Sequence, residues 1–361
     1  MSVQLQDHAE WVEQLDPASV DLLTHTWPEA TKVLSARGLD NYVKGAAALR
    51  GLGRGHALVN AWIDVAPQVA KEIGEDVVGE LATTALMLAS KTSGSVIELV
   101  LATAPTAAKR LADAELFMQY LQFLNTLVSQ APRGLRPMLG QLDALLGQLT
   151  LGGLRRWATW GVQAHRTEFE AQIAYFGLQS KESLAMLQQE RKGTLLVDVQ
   201  RRINMYLRGL WGRDFFMRPT AGDFENREGL RPFIEDYFIH LPDALDAVQG
   251  NDGLMDATQI YRAACAHAAT HVVFTRQAIS AESLNPWQMA LVALAEDARV
   301  EALAVARFPG MRPLWAQLHT TPATQQATAG DWLARMARAW IDPTYEDDHP
   351  WIAQGRALMA E

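Results

Sequence analysis

His267 and His271 stand four residues apart in YRAACAHAATH (residues 261–271), so on a helix both imidazoles project from one face. Further along, the run EDARVE carries Glu296, Asp297, Arg299 and Glu301 on a second apolar segment. An H-x-x-x-H helix followed by a carboxylate helix is how many zinc peptidases hold their metal. The ligands this predicts are His267, His271 and Glu296, with Glu301 as the alternative third group. The residue after the first histidine is Ala268, where a peptidase carries the glutamate that deprotonates metal-bound water. The outline of a zinc site is therefore present without the base of a hydrolase. The same residues also make a network without any metal. In that network the ring nitrogens bond to buried carboxylates, and Arg299 pairs with Glu296 or Glu301, fixing the register of two helices. This second reading is the one the sequence favours, so no cofactor is expected, with zinc as the alternative.

The elements that must position these groups are helices. From about residue 18 to 190 the apolar residues recur at three- and four-residue steps, and strand-like alternation is nearly missing. Breakers punctuate the pattern, among them Gly51 to Gly55, Ala66-Pro67, Ser93-Gly94, Ala104-Pro105 and Ala131-Pro132. The segments NAWIDVAPQVAKEIGEDVVGEL and ELVLATAPTAAKRLADAELFMQYL are loosely alike, aligned on the Ala-Pro dipeptides at 66–67 and 104–105. Helix, proline turn and helix at this interval predict stacked hairpins of the HEAT or armadillo kind, an unrepeated bundle being the alternative. The expected fold is all-α: a helical-repeat array over residues 1–195, then a second, mainly helical domain over 196–361 with a short extended segment.

Within this frame, residues 191–218 predict one long amphipathic helix with Arg201, Arg202, Arg208 and Arg213 on or near its polar side. Tyr237 to Pro242 is the one stretch that reads as a strand. Trp157 and Trp160 in LRRWATW suit a packed helix face better than an Arg/Trp contact patch. DPTYEDDHPW, from Asp342 to Trp351, reads as a surface turn, since it lacks the glycine and closing glutamate of a calcium loop.

Composition narrows the function. With 361 residues and 49% hydrophobic content, the chain is long enough for two or three domains with ample cores. A net charge of −9 argues against nucleic acid as a main partner, despite a locally basic stretch over residues 99–167. The single cysteine, Cys265, makes no internal disulfide, which points to a reducing cytoplasm. It lies two residues from His267, off that face of the helix, so no Cys/His nucleophile pair is expected. The acidic N-terminus is unlike a signal peptide, and no apolar run approaches the roughly 20 residues of a membrane span. Lys91-Thr92 resembles the end of a phosphate-binding loop, but Ser90 and Ala85 occupy the positions that require glycine. Enzymatic chemistry therefore has little support.

NREGLRPFIEDYFIHLPDA, YRAACAHAATH and LNPWQMALVALAEDARVEALAVARFPGMRPLW resemble the N-terminal region of CbbO and NorD proteins. LGRGHALVNAWIDVAPQVAKEIGEDV, the stretch from Gln188 to Asp223 and the closing DPTYEDDHPWIAQGRAL look like the same family, so the likeness covers most of residues 35–361. It implies a non-catalytic adaptor of a hexameric MoxR-type AAA+ ATPase, CbbQ- or NorQ-like, followed in the family by a C-terminal von Willebrand factor A domain. The long helical N-terminal part is closer to the CbbO type, which implies remodelling of inhibited Rubisco. The NorD alternative implies activation of nitric oxide reductase. The D-x-S-x-S metal motif of the A domain does not occur in these residues, so the chain reads as the N-terminal part of a longer adaptor. Its expected contact surfaces are the concave face of residues 50–170 and the loop from Asp223 to Asp243.

Overall fold

The computed structural model describes residues 3–191, 193–220, 232–277, 280, 282–324 and 327–359. The chain divides into two compact units, Met1–Lys192 and Gly193–Glu361, and helices make up most of the described residues of each. Among the described residues, no helix is long and apolar enough to cross a membrane.

The first unit contains α1 (Ala9–Val12), α2 (Pro17–Val33), α3 (Ala36–Gly51), α4 (His56–Ile73), α5 (Val77–Leu88) and α6 (Gly94–Leu111). These are followed by α7 (Ala114–Gln130), α8 (Leu135–Gly140), α9 (Leu142–Leu146), α10 (Leu151–Ala164), α11 (Phe169–Phe176) and α12 (Lys181–Glu190). Side-chain oxygens start several of them: Asp16 accepts from the Ser19 amide, Ser35 from Gly38, Asp113 from Leu116 and Thr150 from Gly153. Each such cap stabilises its helix by about 1 kcal/mol. Helical spacing then gathers apolar residues on one face, as with Leu58, Trp62, Ile63, Ala66, Val69 and Ala70 of α4, all buried. Packing sets α2, α4 and α6 side by side in one row and α3, α5 and α7 in another, with successive helices touching between rows from α3 onward.

The Ala-Pro dipeptides are not the turns of this arrangement. Pro67 and Pro105 lie inside the continuous helices α4 and α6. The turns fall at Gly53–Gly55, at Gly74 and at Ala112-Asp113, where positive φ reverses the chain. The sequence offset is nonetheless an offset between whole helices, since α4 opens at His56 and α6 at Gly94. A mid-helix proline deprives the carbonyl four residues earlier of its donor, a defect costing about 3 kcal/mol. For Pro67 that carbonyl belongs to Ile63, and the buried Tyr42 hydroxyl of α3 donates to it at 2.7 Å. In return, the Trp62 indole N–H of α4 donates to the Tyr42 carbonyl at 2.9 Å. Gly45 makes the exchange possible, because a Cβ there would collide with the Trp62 ring.

Trp157 is fully buried, donates to the Ser183 carbonyl at 3.0 Å and stacks on Tyr175, which also stacks on Trp160. Arg155 is held by the Gln119 carbonyl and Arg156 by Glu190. The Arg/Trp cluster is thus interior packing with bonded cations at its edge.

The second unit opens with β1 (Thr194–Leu195) and α13 (Leu196–Trp211). Leu196, Val199, Ile203 and Leu207 form the buried stripe of α13. The helix expected over 191–218 is shorter because Gly212 adopts a left-handed conformation (φ 70°) and ends it. Phe216–Thr220 then forms β2, which pairs in parallel with β4 (Phe238–Pro242), while β3 (Phe233–Glu235) pairs antiparallel with the other edge of β4. β5 (Ala244–Leu245) pairs with β1, and β6 (Val248–Gly250) forms a hairpin with β7 (Gly253–Met255). The strand expected at Tyr237 to Pro242 is therefore one member of a small three-stranded sheet. The rest is helical: α14 (Ala257–Phe274), α15 (Pro286–Arg307), α16 (Met311–Ala316), α17 (Ala329–Ile341) and α18 (Pro350–Leu358).

The acidic run between α17 and α18 is more than a surface turn. Arg335 and Asp347 have side chains only 4% and 1% exposed, and the guanidinium donates to both carboxylate oxygens at 2.6 and 2.8 Å. The Tyr345 hydroxyl donates to the same carboxylate at 2.7 Å, and Arg335 also holds the Thr324 carbonyl. The guanidinium beside it keeps the Asp347 carboxyl well below its ordinary range.

Two predictions follow from these bonds. Tyr42→Phe leaves the Ile63 carbonyl buried without its donor and should lower stability by about 1–3 kcal/mol, read as a reduced urea midpoint of the full chain. Asp347→Asn strands a buried guanidinium and should cost about 3–5 kcal/mol. Because the folded carboxyl titrates below its ordinary 3.8, the pair stabilises fully above that pH and is lost as pH falls through the folded value. The wild-type midpoint should therefore drop between pH 5 and acid more steeply than that of the Asn variant.

Candidate functional site

Two capped helices build the site. Asp256 and Gln259 form a reciprocal capping box at the start of α14, and Asn285 and Gln288 do the same for α15, with Pro286 in its first turn. α14 packs through small residues, Ala263, Ala266, Ala268 and Ala269 all being buried, which allows its neighbours to approach closely. α15 runs antiparallel to it, and the two four-residue intervals match: His267 faces Glu301 and His271 faces Asp297.

The His267 Nδ1 lies 2.9 Å from a Glu301 oxygen. The His271 Nε2 lies 3.0 Å from Asp297 Oδ1, and the His267 Nε2 lies 3.6 Å from that same oxygen. The two Nε2 atoms are 3.3 Å apart. His271 Nδ1 sits 3.2 Å from the Thr275 hydroxyl, which is 2.6 Å from a Glu296 oxygen. Trp315 of α16 presents its ring edge-on to His267 and donates its indole N–H to the Ala263 carbonyl at 3.0 Å.

The carboxylate nominated from sequence as third ligand is not the one that meets the imidazoles. Glu296 is gripped by Arg299 at 2.6 and 2.7 Å and by Thr275, while Arg299 also reaches the Phe274 carbonyl. Asp297, one residue on and so a hundred degrees round the helix, takes the place beside both histidines. His267, His271 and Asp297 are the described residues whose donor atoms gather closely enough to share a metal ion, lying within 4.8 Å of one another. Glu301, the alternative ligand, bonds the outer nitrogen of His267 instead. A legible signal existed, because the pair 297/301 has the same interval as 267/271.

Electrostatics follow from this geometry. Burial pushes the His267 imidazole down, but the carboxylates of Asp297 and Glu301 outweigh it and raise it to about 9. Asp297 pays a burial penalty that the two imidazoles overcome, holding its carboxyl far below its usual range. The Arg299 guanidinium lowers Glu296 to about 2. Cys265 is buried beside Met217, its sulfurs 3.7 Å apart, and burial pushes its thiol up, so it is not a nucleophile poised for the histidines.

His267, His271, Asp297 and Glu301 line one side of a cavity of about 660 Å³, whose other walls are largely apolar and include Trp315 and Trp340. His319 also lines it, and burial keeps its imidazole below its usual value, which favours the neutral ring. Neither His319 nor Trp340 was singled out by sequence pattern, since each reaches the cavity only through the packing of α16 and α17. No protein-family model, curated protein sequence or solved structure matches this chain.

In chelator-treated protein, the His267 imidazole should titrate near pH 9, and Glu301→Gln should bring it closer to 6.5, followed by imidazole NMR signals. The sign is that of a raised folded pKa. The stabilisation from this pairing is complete below pH 6.5 and fades as pH rises through about 9.

Proposed function

We propose that this chain is a non-catalytic adaptor of the CbbO/NorD kind, which supplies contacts and partner choice to a MoxR-type AAA+ ATPase and makes or breaks no bonds itself. The CbbO-type client, inhibited Rubisco, is the first reading and nitric oxide reductase the second. The motifs behind the resemblance support a scaffold role through their chemistry. Arg299 and Glu296 hold α15 to the end of α14, Trp315 bonds α14, and Asp347 locks Arg335. The two rows of helices in the first unit favour a HEAT-like array with a long face suited to an extended protein surface.

The observation that carries the docking reading is the turn between β3 and β4. Asp236 and Tyr237 both adopt positive φ, 47° and 69°, in a two-residue hairpin turn where glycine or asparagine is the usual occupant. Each such residue costs about 1–2 kcal/mol. Tyr237 nevertheless stands 80% exposed, with Phe233 and Ile234 of the adjoining strand also exposed. Strain kept in order to present an aromatic ring to solvent is the mark of a recognition element, and tyrosine is a preferred interface anchor. Asp223 to Arg231 of the contact loop nominated from sequence lie outside the described residues, while Tyr237 belongs to the part that is described.

Capture of the full chain by the ATPase, and separately by each client, tests the reading. Tyr237→Gly should relax the turn and leave stability equal or higher, yet weaken capture by about thirty-fold, the loss expected of an anchor worth 2 kcal/mol. Retention by neither ATPase nor client would discard the adaptor role, and undiminished capture by the variant would discard this turn as its contact.

A further inference from the structure

The outer partners of His267 and His271 turn the Nε2 atoms of both rings toward each other and toward Asp297. Glu301 accepts from His267 Nδ1 at 2.9 Å, so the proton that a metal ion would displace is the one on Nε2, and the neutral ring then offers that nitrogen's lone pair inward. The Thr275 hydroxyl donates its only hydrogen to Glu296 at 2.6 Å, so it accepts from His271 Nδ1, and the neutral form of that ring likewise offers its Nε2 inward. Asp297 Oδ1 is a third acceptor. Three groups thus point into one small space, where protons on the inner nitrogens face Asp297 in the metal-free chain and a divalent ion would displace those protons to bind the same three atoms.

The spacing says which kind of cation fits. A tetrahedral ion bound by nitrogen and oxygen at about 2.0–2.1 Å separates its ligand atoms by about 3.3 Å. The three separations here are 3.3 Å between the imidazoles, 3.0 Å from His271 to Asp297 and 3.6 Å from His267 to Asp297. Two imidazoles and one carboxylate are donors for a zinc-class ion, whereas calcium and magnesium need more oxygen atoms. The outer bonds of both rings, to Glu301 and to the Thr275–Glu296–Arg299 chain, are the supports that orient ligating histidines. All three ligand residues line the cavity, so the fourth position of a tetrahedron opens into it.

We propose that His267, His271 and Asp297 bind one zinc-class divalent ion, with Glu301 and Glu296 as positioning residues and a fourth coordination site open to the cavity. The ion joins α14 to α15, and its open site takes water or a small anion from the cavity. This inference is independent of the adaptor reading, because it rests on the atoms and distances around His267, His271 and Asp297 and on the cavity they line.

The test uses the full chain, stripped with chelator and titrated with Zn²⁺ against a chromophoric competitor, with circular dichroism to follow folding. One ion per chain is expected. His271→Ala should weaken binding at least a hundred-fold, and Glu301→Gln or Glu296→Gln by about ten- to a hundred-fold, as loss of an outer support does. Asp297→Asn serves as the ligand variant of nearly unchanged shape if the alanine variant fails to fold. Co²⁺ in place of zinc should give the intense visible bands of a four-coordinate ion, and added azide should shift them. No saturable zinc uptake by the wild-type chain, or equal uptake by the folded ligand variants, overturns the site. Bands indifferent to azide overturn the open position. Partner capture repeated in chelator reports on the adaptor role separately.

Discussion

Two helices that each carry polar groups at a four-residue interval can meet in only one antiparallel register if all of those groups are to find partners. That constraint governs the second unit. His267 with Glu301 and His271 with Asp297 set the alignment of α14 against α15, and Thr275, Phe274, Glu296 and Arg299 extend it by a further turn. A slip by one residue would rotate every carboxylate away from its imidazole and leave several half-buried charges without a counterpart. The alanines of α14 make this tight meeting sterically feasible, and α16 adds Trp315 against the same face.

The two units hold themselves together by different means. In the first, one continuous apolar cluster runs from Leu15 to Leu187, with buried hydroxyl and indole bonds inside it and charged pairs such as Arg156 with Glu190 at its edge. In the second, the buried apolar residues fall into two smaller clusters, and bonded charges such as Arg335 with Asp347 supplement them. Directional bonds of this kind specify geometry strongly, because a partner removed leaves an unpaired group whose desolvation is no longer compensated. A unit that must hold side chains at fixed separations around a cavity gains from that specificity.

Much of this was legible in the residues. Helical period showed that the chain is mainly helical without drawing most helix ends, and the extended segment from Tyr237 to Pro242 was visible from its aromatic and branched residues. The paired histidines and the carboxylate helix were visible as well. Pro67 and Pro105 misled because local chemistry names a helix breaker without saying what lies across the interface, and the donor that rescues Pro67 is in another helix. Asp297 rather than Glu296 meets the imidazoles because adjacent acids on a helix differ by a rotation that only the partner helix decides. Asp347 was read as part of a surface turn because its partner, Arg335, precedes it by nearly two helical turns and a loop whose path the sequence does not draw.

The phenol that answers for the missing amide of Pro67 ties two distant positions into a conditional pair. While residue 67 is proline, residue 42 is not free to drift to phenylalanine, although both rings would fill the same volume. Were 67 to revert to a residue with its own N–H, the Ile63 carbonyl would regain a donor within its helix, and the constraint on 42 would relax. The order in which such changes can be made without loss is therefore asymmetric: the proline must go before the hydroxyl can.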